Sequence, residues 1–241
     1  MWKSRNELPG LIKLDMKVDV ERLKTELNSS EDQEWNACIS GPLEELRQTY
    51  GRLTNAAFGN SNKGIDEDGK YWRSLKYHQR HLTDFDEAYE LRKDRNSGSV
   101  WDKKFMKGDK KLDERAFRKL VDGVPEYMKE VADLFGPNRT RVGLAKLLAG
   151  CAIDPHRDYD TTFSCRYHIA IKTNSECTVG FKKNNKEYEV HIPDDGHIWF
   201  INTGLTHWVH NRGKEDRTHL ILNMDSQELL DNAVWLEQYG S

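Results

Sequence analysis

The 241-residue chain lacks long apolar runs, a cysteine framework and a strong charge of either sign. No segment approaches the ~20 consecutive apolar residues that cross a bilayer, and residues 1–7 contain no signal-type apolar region. We therefore expect a cytoplasmic protein with no membrane partner. Cys38, Cys151, Cys165 and Cys177 show no Cys-x-x-Cys spacing, which indicates reduced interior thiols. Because the formal net charge is only -3 at pH 7, nucleic acid is not an expected partner.

The pattern of the chain changes after Asn138, where short apolar runs begin to alternate with Gly, Asn, Asp or Pro. Such spacing predicts an antiparallel sandwich or barrel. The predicted strands cover residues 139–149, 163–171, 178–181, 187–192, 197–202, 208–211 and 218–224. Asn184-Asn185 and Asp194–Gly196 are predicted turns. We expect a mainly β fold with helical support, whose core is a double-stranded β-helix of the jelly-roll or cupin-like type.

The remaining segments are predicted to support this core. Alternation over Leu11–Val20 predicts a strand, and the spacing that follows predicts a helix to Leu27. Apolar residues recur at three and four from Leu112 to Phe135, which predicts a helix that Pro125 kinks or splits. A last helix is predicted over Gln227–Leu236. The predicted organisation is one domain over 1–241: support with a possible lid in 1–137, a jelly-roll core in 138–225, and a C-terminal helix in 226–241.

The segment around His156 and Asp158 contains the most informative chemistry. One residue separates the two, so in an extended segment their side chains leave on the same side and can reach one ion. Two neutral imidazoles and one carboxylate on one face of iron(II) leave three positions for a co-substrate and dioxygen. A His-x-Asp pair is a weak motif by itself. The hypothesis of a mononuclear iron site therefore needs a second histidine.

Two histidines compete for that third position, His207 and His210. They lie on opposite faces of a predicted strand and cannot easily both point inward. We choose His207, because Arg217 follows ten residues later, a spacing that lets one hairpin place both on one inner surface.

Two other groups of residues have competing explanations. His78 and His81 could share a metal on one helical turn, although the neighbouring aromatic residues favour a segment packed on the core. Residues 92–111 hold eight Lys or Arg, with Trp101 and Phe105 among them. A solvated loop or lid is the simpler account, and phosphate binding is the alternative.

The ordered set of motifs resembles one family. It comprises His156-x-Asp158, Arg166-x-His168, Asn202-Thr-Gly-x-x-His207-x-Val-x-Asn211 and Arg217-x-His-Leu-Ile. Over roughly residues 140–225 the chain resembles the aspartyl/asparaginyl β-hydroxylase-like branch of the iron(II)/2-oxoglutarate oxygenases, which includes free-proline cis-hydroxylases. The large β-hydroxylases of that branch lack the ligating carboxylate that Asp158 supplies. In this respect the chain is more similar to the small-molecule hydroxylases.

The resemblance implies a role for each matching residue. His156, Asp158 and His207 correspond to the iron ligands, Arg217 to the residue that holds the distal carboxylate of 2-oxoglutarate, and His168 to a further co-substrate contact. Arg166 corresponds to the partner of a substrate carboxylate. The implied cofactors are iron(II), 2-oxoglutarate and dioxygen. A fixed guanidinium such as that of Arg217 also suits a dianionic co-substrate on physical grounds.

Some of these residues also have structural explanations, and three functions remain open. His168 and His219 could be interior histidines, and Arg217 could pair with Glu215 or Asp216 at the surface. The leading hypothesis is hydroxylation of an amino acid or a peptidyl side chain, with succinate and carbon dioxide released. The alternatives are the same chemistry on another small carboxylate-bearing molecule, or a non-catalytic jelly-roll module that binds a ligand. The sequence leaves the oligomeric state open.

Overall fold

The computed structural model describes residues 2–29, 36–37, 77–85, 106–107, 110–111 and 117–241. The strands in these ranges are β1 Leu11–Lys17, β2 Asn36–Ala37, β3 Tyr77–His81, β4 Thr83–Phe85, β5 Met106–Lys107, β6 Lys110–Lys111, β7 Phe117–Leu120, β8 Arg139–Leu147, β9 Ala152–His156, β10 Cys165–Lys172, β11 Cys177–Lys183, β12 Lys186–Val190, β13 His197–Ile201, β14 Thr206–Asn211, β15 Arg217–Met224 and β16 Trp235–Tyr239. The helices are α1 Val20–Ser29, α2 Glu126–Asp133 and α3 Glu228–Asn232, with a 3-10 turn at Gly136–Asn138. Among the described residues, no helix is long and apolar enough to cross a membrane.

Most strands belong to two antiparallel sheets. The large sheet has the order β16-β1-β13-β10-β15-β8-β3-β2, and the small sheet has the order β12-β11-β14-β9. Along the chain, β8, β10, β13 and β15 lie in the large sheet, while β9, β11, β12 and β14 lie in the small one. The chain thus passes back and forth between two packed sheets, which is the arrangement of a jelly roll. The predicted fold class is confirmed.

Two buried clusters hold the layers together. One lies between the two sheets and includes Leu147, Phe181 and Trp199. The other lies between the outer face of the large sheet and the helices, and includes Leu23 of α1 and Met128 of α2. The large sheet is thus covered on both faces, so β10 is buried along almost its whole length.

Positive φ angles explain the turns between strands. Asn184 and Asn185, at φ 50° and 60°, form the two-residue hairpin between β11 and β12 that the sequence predicts. Gly196, at φ 82°, ends the turn before β13. A side chain there would also meet the Val18 carbonyl oxygen, because the Cβ would lie 2.4 Å from it.

The predicted helix over Leu112–Phe135 is wrong in its first half. Residues 117–120 form β7, and within the described residues 117–135 the α-helix is confined to Glu126–Asp133. Pro125, extended at ψ 146°, precedes the helix, because a proline ring in a helix interior would clash with the preceding turn. The apolar spacing that suggested one helix is therefore divided between a strand and a helix.

The predicted C-terminal helix is also corrected. Helix α3 ends where Ala233 turns extended at ψ 150°, and Trp235–Tyr239 then joins β1 as an edge strand of the large sheet. This segment begins and ends with a large aromatic residue. Such residues favour a strand paired with an exposed sheet edge over the extension of a short helix.

The structure decides some of the alternatives that the sequence left open for the histidines, the basic segment and the cysteines. His78 and His81 lie in strand β3, so they do not share one helical turn. Most of segment 92–111 lies outside the described residues, apart from the paired strands β5 and β6. Three of the four cysteines, Cys151, Cys165 and Cys177, are free and buried as expected, and Cys38 lies outside the described residues.

Candidate active site

The structure brings His156, Asp158 and His207 together. Each offers one donor atom, and the three donor atoms lie within 4.8 Å of one another. Asp158 Oδ1 is 3.9 Å from His156 Nε2, and Asp158 Oδ2 is 4.0 Å from His207 Nε2. The two imidazole rings lie with their centroids 4.2 Å apart. Two imidazoles and one carboxylate converging on one point are a donor set that suits a divalent transition metal.

Strand pairing explains how residues far apart in the chain meet. His156 ends β9 and is the register partner of His207 on β14. Asp158 follows β9 by two residues, and its backbone N–H donates to the Thr203 carbonyl at 2.9 Å. The turn before β14 therefore fixes the loop that carries the carboxylate.

The Asn202-Thr-Gly part of the motif is a structural support for this loop. The buried Asn202 amide donates to the carbonyls of Arg5, Leu8 and Pro9 at 2.9, 3.3 and 3.1 Å. A Cβ on Gly204 would lie 3.2 Å from the Asp160 Cα, so the 158–160 loop approaches the turn more closely than a side chain allows comfortably. Both residues therefore position the loop that carries Asp158 and the turn that precedes His207.

His207 is oriented by the backbone. Its Nδ1 lies 3.1 Å from the Leu205 carbonyl, so Nδ1–H donates there and Nε2 keeps a lone pair for a metal. Burial lowers the pKa of His207 to about 3, which keeps the imidazole neutral near pH 7. Its neighbour His210 points away, with Nδ1 2.9 Å from Glu189 on the outer face of the small sheet. The structure thus places His207, not His210, beside the other two donors.

Asp158 is held as an anion by Arg166. Burial alone would raise the pKa of this carboxyl, but the neighbouring Arg166 charge and the two histidines lower it well below its usual range. Arg166 Nη1 donates a hydrogen bond to Asp158 Oδ2, and Arg166 Nε donates to Asn223 Oδ1 at 3.2 Å. Arg166 therefore contacts the metal-ligand carboxylate directly, a contact that the sequence analysis did not foresee.

A second polar cluster lies on the inner face of the large sheet and consists of Arg217, His168 and His219. Arg217 is only 1% exposed, and its Nη2 lies 2.8 Å from His219 Nδ1 and 3.4 Å from His168 Nδ1. The two imidazole Nδ1 atoms are 3.2 Å apart. Burial and the Arg217 charge hold the pKa of both histidines well below its usual range, so both are neutral. The cluster combines one permanent positive charge with two neutral imidazoles.

His168 connects this cluster to the metal donors. It follows Arg166, the partner of Asp158, by two residues on β10, and after burial and Arg217 the Arg166 charge also lowers the pKa of its imidazole. The inner surface therefore runs from the His156–Asp158–His207 donors past His168 to Arg217. The six residues to which the resemblance assigns a role all lie on this surface. His219, which the sequence suggested only as an interior histidine, and Asn223 join them; their alternation with Arg217 along β15 could have indicated that they share its face.

Comparison with known proteins places this arrangement in a family. The family model described as aspartyl/asparaginyl beta-hydroxylase matches residues 61–226, which is more than half of the chain. The chain belongs to the aspartyl/asparaginyl β-hydroxylase family. A search of curated proteins found no match.

Solved structures show more distant similarity to this β-hydroxylase family member. A prolyl-4-hydroxylase from Pseudomonas putida is 11% identical, with 90% of this chain and 92% of that chain covered and a TM-score of 0.48. A 2OG-Fe(II) oxygenase family oxidoreductase from Burkholderia pseudomallei is 12% identical, with 62% and 67% covered and a TM-score of 0.39. Peruvianin-I, a cysteine peptidase from Thevetia peruviana latex, is 22% identical with a TM-score of 0.29; the match covers 36% of this chain and 50% of that chain. The chain thus spans half of the peruvianin-I chain.

Proposed function

We propose that this protein is an iron(II)- and 2-oxoglutarate-dependent dioxygenase that hydroxylates an amino acid or a peptidyl side chain. The observation that carries the proposal is the His156–Asp158–His207 donor set facing the same inner surface as the buried Arg217. Family membership supports the same chemistry. The reaction would consume substrate, 2-oxoglutarate and dioxygen, and would yield hydroxylated substrate, succinate and carbon dioxide.

The three donors fit iron(II), because two imidazole nitrogens and one carboxylate oxygen are ligands that this ion accepts, and the carboxylate balances part of its charge. When bound, iron(II) supplies the activation of dioxygen and the oxidative decarboxylation of 2-oxoglutarate. The protein orients the reactants. The Leu205 carbonyl fixes the His207 tautomer, and Arg217 pairs with the distal carboxylate of the co-substrate. Because Arg217 and His207 are 1% and 5% exposed, this pairing takes place away from water.

Arg166 and His168 complete the proposed site. His168, with Nδ1 3.4 Å from Arg217 Nη2, contacts the co-substrate. Arg166 binds a carboxylate of the substrate beside its contacts with Asp158 and Asn223. A free or peptidyl amino acid can supply the anionic group that binds Arg166. Another small carboxylate-bearing molecule can also supply one. We place the activity in the cytoplasm, with no nucleic-acid or membrane partner.

Succinate production tests the proposal. Purified protein with iron(II), ascorbate and 2-oxoglutarate would be given free amino acids, short peptides and other small carboxylates, beside His156→Ala, Arg217→Ala and the outward-facing control His210→Ala. We expect one class of compound to stimulate succinate formation in the wild type and in His210→Ala only. Binding of metal and 2-oxoglutarate without stimulated succinate by any compound would support the ligand-binding module instead. Failure to bind either ligand would refute the assignment of the site.

A further inference from the structure

We propose that His219 is a direct ligand-binding residue, whose Nε2–H donates to the distal carboxylate of the co-substrate, while His168 fixes the tautomer of His219. This inference rests on the proposed function and adds one residue to it. Neither the motif pattern nor the metal donor set assigns any role to His219.

Strand register places His219 on the pocket side. Residues alternate along β15, so His219 lies on the same face as Arg217, two residues earlier. Its cross-strand partners are Ala170 on β10 and Ala145 on β8. Because both partners have the smallest side chain that carries a Cβ, neither of them extends over the His219 imidazole. In the proposed complex the carboxylate approaches the ring from this inner face.

The hydrogen-bond network assigns the proton of His219. An arginine can only donate, so His219 Nδ1, at 2.8 Å from Arg217 Nη2, must accept. Since the ring is neutral, its one proton is then on Nε2. His219 is 2% exposed, and its Nε2 has no hydrogen-bond partner within the described structure. A buried N–H without an acceptor costs about 1–3 kcal/mol, which an incoming carboxylate oxygen would recover.

The same reasoning assigns a different role to His168. Its Nδ1 lies 3.2 Å from His219 Nδ1, and two acceptors cannot form a hydrogen bond with each other. His168 Nδ1 also lies 3.4 Å from Arg217 Nη2, but its contact with His219 is the shorter one, so we infer that His168 Nδ1 carries the proton and donates it to His219. The neutral His168 ring then has no N–H at Nε2 for a carboxylate. His168 is thus a positioning residue for the distal carboxylate, and His219 is the second donor beside Arg217.

Two replacements of His219 separate binding from structural support. Asparagine keeps an amide oxygen near the Nδ1 position, where it can accept from Arg217, but it has no donor near Nε2. Glutamine places its amide nitrogen near the Nε2 position. If His219 only supports Arg217, asparagine should bind 2-oxoglutarate at least as well as glutamine. If His219 donates to the carboxylate, glutamine should bind at least three-fold more tightly than asparagine.

The measurement is calorimetric titration of the Mn(II)-loaded protein with 2-oxoglutarate, and with 2-oxobutyrate, which lacks the distal carboxylate. We expect His219→Asn to raise the Kd for 2-oxoglutarate about ten-fold or more, the size of one hydrogen bond to a charged group. The Kd for 2-oxobutyrate should stay within two-fold of the wild type. The control His210→Asn, on the outer face, should leave both values unchanged.

The outcomes distinguish this inference from the proposed function. If wild-type protein binds 2-oxoglutarate and His219→Asn binds it equally well, the role of His219 is refuted while the proposed function stands. If the wild type does not bind 2-oxoglutarate, both fail. A readout that needs no variant is the histidine ring 15N–1H spectrum of the Zn(II)-loaded wild type. Adding 2-oxoglutarate should shift an Nε2–H resonance of His219, and the absence of such a proton would overturn the proposal.

Discussion

Replacing His207 by alanine should remove most of the stabilisation of the protein by divalent metal, whereas replacing His210 should leave that stabilisation unchanged. A metal that binds only the folded state adds RT ln(1 + [M]/Kd), about 2.7 kcal/mol when the metal is at 100 times its Kd. For a chain of this length that energy corresponds to a rise in Tm of about 5–10 °C. Loss of an outer support to a metal ligand already weakens binding about 10- to 100-fold, so loss of a ligand itself should cost at least 100-fold. At the same metal concentration the stabilisation then falls to about 0.4 kcal/mol, or about 1–2 °C.

The assay compares the Tm of each variant with and without Mn(II) or Zn(II), so that the effect of the substitution on the apo protein cancels. His210 is the matched control, because it lies on the same strand but points outward, with its side chain 32% exposed. The reasoning would be refuted if His207→Ala kept the metal-induced rise or if His210→Ala lost it. Either result would mean that β14 presents the opposite face to the metal.

Three further outcomes test the structure around the site. Asn202→Ala should lower the free energy of unfolding by about 2–3 kcal/mol in a denaturant titration, because the carbonyls of Arg5 and Pro9 lose this donor and that of Leu8 keeps only Lys183; a loss below about 0.5 kcal/mol would contradict this. Gly180→Ala should cost about 1–3 kcal/mol and change tryptophan fluorescence, since the added Cβ would lie 2.0 Å from the Trp208 indole; unchanged stability would argue against the packing. Hydrogen bonds led by that of Arg212 lower the pKa of Glu189 from 4.5 to about 2. Its stabilising effect should therefore be present above pH 4.5 and fade towards pH 2, so the unfolding free energies of wild type and Glu189→Gln should converge on acidification, and a constant difference would count against it.

Much of the β core could be predicted from the sequence, because its strands are separated by turn residues with specific backbone needs. Asn184 and Asn185 adopt positive φ angles that few other residues tolerate. The hairpin turn that they form could therefore be predicted from the sequence. Alternation along a strand likewise separated His207 from His210. Turn conformation and strand alternation depend on neighbouring residues alone, so the sequence is enough to predict them.

The elements that could not be predicted depend on distant partners. Strand β7 is stabilised by pairing with β4, and β16 by pairing with β1, more than 200 residues earlier in the chain. A period of three or four in a short apolar segment does not distinguish a helix from such a strand. The contact between Arg166 and Asp158, and the proton assignment of His219, likewise depend on distances across strands that spacing along one strand does not contain.

The motif residues that take no part in the chemistry explain why the motif has its spacing. Asn202 fixes the turn that precedes His207, through three carbonyls near the N-terminus. Asn211, at the far end of the same strand, donates to the carbonyls of Leu147 and Glu215 at 3.3 and 2.8 Å, and so holds the hairpin that leads to Arg217. Each end of the inner surface is therefore held by one buried asparagine. In the proposed function a co-substrate would have to reach both the metal donors and Arg217, so these two asparagines act by holding the two ends of that surface in place.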